Sequence, residues 1–176
     1  MDKIKALSIV ILFSLLSLTC FPQESNDNIV NRNSLKRNTL DFTIAGTGLG
    51  ISVNYCRMIQ VKPDYFMSAS IGLGSVPFAG GITIPHQLTY NFGRKNNFLE
   101  AGIGGVYWQG YENQEDEKEQ LYSYNIVPIV GYRNIFSNNK MVFRIYISPI
   151  IRVSGEYFYK THPALPYGGI SFGYSF

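Results

Sequence analysis

Large apolar residues alternate with small or polar ones along most of the chain, most strictly at its end. In 167–176, Ile170, Phe172, Tyr174 and Phe176 share one face; Gly169, Ser171, Gly173 and Ser175 share the other. Period two is the repeat of a β-strand. A run at 65–73 likewise gathers Tyr65, Met67, Ala69, Ile71 and Leu73 on one face. So does 82–92 with Ile82, Ile84, Leu88, Tyr90 and Phe92, and 99–108 with Leu99, Ala101, Ile103 and Tyr107. Two more runs carry Tyr122, Tyr124, Ile126, Val130 and Tyr132, then Met141, Phe143, Ile145, Ile147 and Ile151. No stretch reads as a long amphipathic helix.

Near the start, Leu40, Phe42 and Ile44 share a face, and after Gly46-Thr47-Gly48 the apolar phase moves to Leu49, Ile51, Val53 and Tyr55. A two-residue turn at Thr47-Gly48 accounts for the change. It sets Ile44 opposite Ile51, Phe42 opposite Val53 and Leu40 opposite Tyr55. One long strand over 39–58, bulged at the glycines, is the rival. Parity favours the hairpin: with it the strands number eight, and an even count returns both chain ends to one side. The connections at 59–64, 93–97 and 135–139 then fall on that side and are short. Those at 75–80, 111–120 and 154–166 fall on the other side and run longer on the whole.

The last strand's polar face carries almost no side chain, as the inside of a narrow closed barrel requires. The pattern predicts an all-β fold, an eight-stranded antiparallel up-and-down barrel with its bulky apolar face toward lipid. An exported, soluble, lipocalin-like barrel that binds a ligand is the alternative. It would need a polar exterior, and here the small polar face belongs inside. Pro85, Pro128 and Pro149 fall within strands, where each removes a ladder donor, so bulges are predicted there. His86 stands on an outward position that a lipid-facing row would fill with leucine.

At the N-terminus, Lys3 and Lys5 precede a 13-residue apolar run, 6–18. That is a signal peptide, since a spanning helix needs about 20 apolar residues. Cleavage near Pro22-Gln23 is preferred to lipidation of Cys20, because Thr19 stands where lipoprotein signals place Gly, Ala or Ser. The predicted organisation is 1–22 signal peptide, 23–38 flexible periplasmic lead-in and 39–176 barrel. Cys56 is then left without a disulfide partner. Taking Lys3, Lys5 and Asp2 from 15 basic and 12 acidic residues leaves 13 and 11, a net charge of +2. So small an excess argues against a nucleic-acid binder. The 13 Tyr, 12 Phe and 17 Gly suit a small barrel.

The terminal strand resembles the C-terminal strand of bacterial outer-membrane barrels. In that family a final aromatic, with hydrophobic residues two, four and six positions earlier, is read by the assembly machinery. The resemblance assigns that role to Ile170, Phe172, Tyr174 and Phe176. Gly50–Tyr55, Thr83-Ile-Pro85 with Leu88–Gly93, and Pro166–Phe176 also resemble small porin-like outer-membrane barrels of Bacteroidetes-type bacteria, eight-stranded like OmpA and OmpX. The resemblance implies a location and a fold, with no settled activity.

Candidate chemistry is sparse. Gly46-x-Gly48-x-Gly50 precedes no helix and reads as a turn rather than a nucleotide loop. His86 and His162 have no metal-ligand spacing, and no cofactor or metal is expected. Some barrels of this size modify lipid A with a histidine and serine close together on a lipid-facing strand. Here Gln87, Leu88 and Thr89 follow His86, and no enzyme is expected. The segment 112–120 has five acids, including Glu112, Glu115, Asp116 and Glu117, against Lys118. It reads as a solvated extracellular loop, or as a contact for divalent cations or a basic partner. Tyr157, Phe158 and Tyr159 are a candidate recognition surface, or an aromatic girdle in the headgroups. Glu100, Arg133 and Arg144 point inward by phase. If Ala101 faces Tyr132 and Ile103 faces Val130, Glu100 falls opposite Arg133 with Arg144 at a similar height, a lumen charge network. The partners this implies are outer-membrane lipid, the assembly machinery and an unidentified extracellular ligand, around a monomeric protein.

Overall fold

The structure, a computed structural model, describes residues 35–62, 64–77, 80–114, 117–155 and 164–176. The signal peptide, the lead-in up to 34, Glu115, Asp116, the aromatic run at 157–159 and His162 lie outside these residues.

Alternation along each run becomes eight barrel strands: β1 Asn38–Ala45, β2 Gly50–Val61, β3 Tyr65–Ser75, β4 Ile82–Arg94, β5 Asn97–Gln114 and β6 Glu117–Phe136. The seventh, β7, has two lengths, Met141–Ile147 and Ile150–Gly155. The eighth, β8, comprises Ala164–Leu165 and Gly168–Ser175. The two lengths of each share one register: Ile147 faces Gly168 and Ile150 faces Leu165. Every strand pairs antiparallel with its sequence neighbours, and β1 pairs β8 from Thr39↔Ser175 to Ala45↔Gly169. The β1–β8 pairing closes the sheet into a barrel.

Ile44 faces Ile51, Phe42 faces Val53 and Leu40 faces Tyr55, the register the hairpin reading predicts. The turn itself is four residues, not two: Ala45 faces Gly50, and Gly46–Gly48 form a 3-10 turn ending at Leu49. Other expectations are corrected. β2 runs on to Val61, into the connection expected at 59–64. The end of the lead-in is ordered: Leu35 is buried, the Arg37 carbonyl accepts from the Met58 amide at 2.8 Å, and Asn38 opens β1. None of the three prolines carries a bulge. Pro85 faces Val106 in an unbroken β4–β5 ladder, and Pro128 faces Ile103 in the β5–β6 ladder. Between β6 and β7 the pairs Val130↔Ile147 and Ile126↔Ile151 keep one register, which sets Pro128 opposite Pro149. Two residues without amide donors there open the ladder without slipping it. The register shifts lie instead at Met58/Gln60 and Tyr124/Asn125. Finally, 111–120 is not a loop: β5 and β6 stay paired from Tyr111↔Gln120 to Gln114↔Glu117.

Large apolar side chains point outward around the whole wall and stay exposed there, among them Leu40, Leu73, Leu99, Val130, Ile147 and Phe172. The buried set is inward. At the end carrying the chain termini, Leu35, Met58, Phe66, Phe98, Ile135 and Val142 cluster. At the far end, Leu49, Val76, Val106, Trp108, Val127 and Ile150 form a second cluster. Between them lie Asp41, Asn54, Ser68, Gln87, Thr89, Asn91, Glu100, Arg133, Arg144 and Ser171, all buried.

Candidate functional site

The middle of the lumen is built around Arg144 on β7. Its Nη2 and Nε donate to the two Glu100 oxygens on β5 at 2.6 and 3.0 Å, a bidentate pair. Arg133 on β6 reaches Glu100 Oε1 at 3.4 Å and Ser68 Oγ at 3.4 Å. Arg144 Nη1 lies 4.0 Å from Asp41 Oδ2 on β1. The other Asp41 oxygen accepts from Thr43, Asn54 and Ser171 at 3.0, 3.0 and 3.1 Å. The Gln87 amide, with its oxygen toward Arg144, accepts from Nη1 and Nη2 at 3.0 Å and from Ser70 Oγ at 2.9 Å. The guanidinium groups of Arg133 and Arg144 lie over the Phe66 and Tyr146 rings. Two positive and two negative side chains thus share one buried layer, and the bonds that link them compensate the cost of taking charge out of water.

Glu100, Arg133 and Arg144 are therefore together, though not by the expected register. Ala101 faces Val130 and Ile103 faces Pro128, so Glu100 stands opposite Gly131 and Arg133 opposite Phe98. Arg133 reaches Glu100 diagonally. Asp41 and Gln87 complete the layer and were not assigned to it from the sequence. The signal was present for Asp41: it is inward by phase and charged, and it lies two residues from Thr43, which Ser171 separates from Arg144 across the barrel closure.

Above this layer the β1–β2 turn folds into the barrel mouth. Gly46, Thr47, Gly48 and Leu49 are all buried. Thr83 Oγ1 donates to the Gly48 carbonyl at 3.0 Å, and the Tyr167 hydroxyl donates to the Leu49 carbonyl at 2.8 Å. Ala45 and Leu49 take φ of 62° and 63°, conformations costly for residues with a Cβ, at the two ends of this inward turn. Trp108 Nε1 donates to the Gly80 carbonyl at 3.1 Å on the same side.

On the outer face, His86 Nε2 and the Tyr124 hydroxyl lie 3.0 Å apart with their rings stacked. No serine or acid is hydrogen-bonded to His86 among the described residues. Ile170, Phe172, Tyr174 and Phe176 are all exposed on the outward face of β8. Glu112 and Glu117 lie on the paired hairpin beyond the barrel rim. Cys56 is a buried free thiol, and no group of three or more His, Cys, Asp or Glu able to hold a metal occurs among the described residues.

These elements define a closed, eight-stranded, all-antiparallel β-barrel with a polar filled interior and an apolar exterior. The crystal structure of the N-terminal β-barrel domain of Pseudomonas aeruginosa OprF is similar to it, with a TM-score of 0.54 over 80% of this chain and 96% of that one. The two sequences are 10% identical, so the likeness is one of fold. No protein family matches the sequence, and no curated protein does.

Proposed function

We propose that the protein is an outer-membrane β-barrel, exported through its signal peptide, with a structural or surface-contact role carried by its far-end segments. The observation that carries this reading is the inversion of polarity. Large apolar residues stay exposed around the whole wall, from Leu73 at 65% to Val130 at 68%, while Glu100, Arg133, Arg144 and Asp41 are buried. Water would penalise such a belt, and a bilayer would stabilise it. A soluble lipocalin-like barrel needs the reverse arrangement, an apolar cavity inside a polar wall. The fold likeness to a barrel domain of OprF and the terminal aromatic pattern support the same location. Kinship with the Bacteroidetes-type barrels rests on the sequence fragments alone.

In this reading both chain ends are periplasmic, Phe176 addresses the assembly machinery, and lipid surrounds a monomer. The far end, where β5 and β6 rise past the rim as a paired hairpin with its acids, faces the medium and contacts an extracellular ligand or basic partner. The lumen carries no wide pore, because apolar clusters at both ends enclose the charged layer. This reading assigns no catalytic role to His86, which is paired with the Tyr124 hydroxyl.

The test is an epitope inserted after Gln114, read on intact cells expressing the protein. Antibody staining without permeabilisation, together with heat-modifiable migration of the envelope fraction, is the expected result. Staining only after permeabilisation would invert the topology, and a soluble, heat-insensitive protein would remove the barrel from the membrane.

A further inference from the structure

On the outward face, β5 has no side chain at one point in the middle of an apolar row. Gly105 there faces His86 on β4 and Ile126 on β6. Beside the gap lies a shallow, open groove lined on the outward face by His86, Leu88, Ile103, Tyr124 and Ile126 and reaching Ser70 and Gln87 of the inward face. A Cβ at Gly105 would overlap the Tyr124 hydroxyl and the His86 ring, so glycine is what lets these side chains meet across an intervening strand.

This pair is out of keeping with its row. Above and below it on β4, Ile84 and Leu88 are exposed and apolar. Its depth follows from strand geometry. At about 3.3 Å per residue and a tilt of about 40°, His86 lies roughly 10 Å below Ile82 at the far rim, inside an apolar band about 25 Å tall. An imidazole at that depth needs partners for both nitrogens. Nε2 has the Tyr124 hydroxyl, while Nδ1 has no protein partner among the described residues. A concave apolar site with a few convergent polar atoms is the general form of a ligand site.

We propose that the groove beside this pair is a binding site for one lipid acyl chain bearing a hydroxyl group, the chain lying along Leu88, Ile103 and Ile126 and the hydroxyl bonding the His86–Tyr124 pair that covers Gly105. The proposal rests on the membrane-barrel reading. Wall position selects lipid as the occupant. Depth selects a hydroxyl on the chain, since headgroup oxygens lie nearer the rim. The proposal is one of binding alone, in which no bond is made or broken.

The experiment uses the purified full-length barrel in dioleoylphosphatidylcholine vesicles with a trace of a phosphatidylcholine carrying a diazirine near the middle of one acyl chain. One probe has a hydroxyl near the middle of that chain, at the depth of His86, and the other lacks it. After irradiation, labelled residues are mapped by mass spectrometry against Ile170 and Phe172 on β8 as reference positions. The hydroxylated probe is expected to label Ile103 and Ile126 about fivefold more than the plain one, the ratio that one net hydrogen bond of about 1 kcal/mol supports. Tyr124→Phe, which removes one oxygen and keeps the ring, should erase that difference, and Gly105→Leu should reduce labelling at the groove by both probes. Equal labelling by the two probes overturns the proposal, as does labelling of the groove no higher than at Ile170. If neither Ile170 nor any other outward residue is labelled, it is the membrane-barrel reading that fails.

Discussion

Arg144 shows how a single side chain ties the barrel together. It bonds Glu100 on one side, approaches Asp41 on the other and meets the Gln87 oxygen between them. Removing one partner of a buried pair leaves an uncompensated charge, at about 3–5 kcal/mol, whereas an exposed substitution such as Asp64→Ala stays within about 0.5 kcal/mol. Glu100→Ala is therefore expected to lower the urea midpoint of the folded barrel far more than Asp64→Ala. Removing Glu100 and Arg144 together leaves Arg133 and Asp41, one charge of each sign, so Glu100→Ala with Arg144→Met should be more stable than Glu100→Ala alone. A double variant at or below the single one would show that charge balance does not govern this layer. The membership of Glu100, Arg133 and Arg144 was legible in the sequence because period two fixes which face a residue takes. Their heights were not legible. A shift of two residues keeps every side chain on its face, so phase could not distinguish Tyr132 from Val130 as the partner of Ala101. Asp41 was missed because barrel closure brings β1 beside β8, a pairing of residues far apart in the chain.

Among the elements, β8 has two duties that a deletion can separate. It closes the barrel, pairing β1 on one edge and β7 on the other. Its last residue contributes little to that closure: the Phe176 ring is outward and 55% exposed, and its amide donates to the Asn38 carbonyl at 2.9 Å. Losing one such bond costs about 1 kcal/mol. Chain lacking Phe176 should therefore refold in detergent micelles with a midpoint close to that of the full chain. On the proposed outer-membrane reading it should accumulate unfolded in the periplasm in cells, because it lacks the terminal aromatic to which that reading gives the assembly role. Equal membrane levels of the two chains would remove the assembly role, and failure to refold in micelles would make Phe176 a structural residue instead. The strands were legible where one face is apolar. The 111–120 hairpin was not, because the sequence beyond Tyr111 is polar at successive positions and carries no apolar period, while the backbone stays paired. The prolines misled for a related reason: a missing donor opens a ladder locally, while the flanking pairs of a closed barrel hold the register on either side.

At the scale of the whole molecule, the described side chains occupy the lumen at three levels, and on the proposed reading this sets its response to mutation. The Leu35 cluster fills the terminus end, the charged layer fills the middle, and the Trp108 cluster with the inward Gly46–Leu49 turn fills the mouth. Eight strands leave an interior only wide enough for side chains, so a path for ions needs all three levels thinned together. Trp108→Ala opens a gap at the mouth, yet Arg144 and Glu100 still span the middle at 2.6 Å and Phe66 still packs edge-on against Phe98 below them. Glu100→Ala loosens the middle and leaves both apolar ends in place. Each single variant, like the unaltered protein, is therefore expected to show no stepwise conductance in planar lipid bilayers, although each is less stable. A triple variant, Phe98→Ala with Glu100→Ala and Trp108→Ala, is the first expected to conduct, provided heat-modifiable migration shows that it still folds. Regular conductance steps from the unaltered protein would refute this account of the interior, because they would require a water path past the three levels of buried side chains.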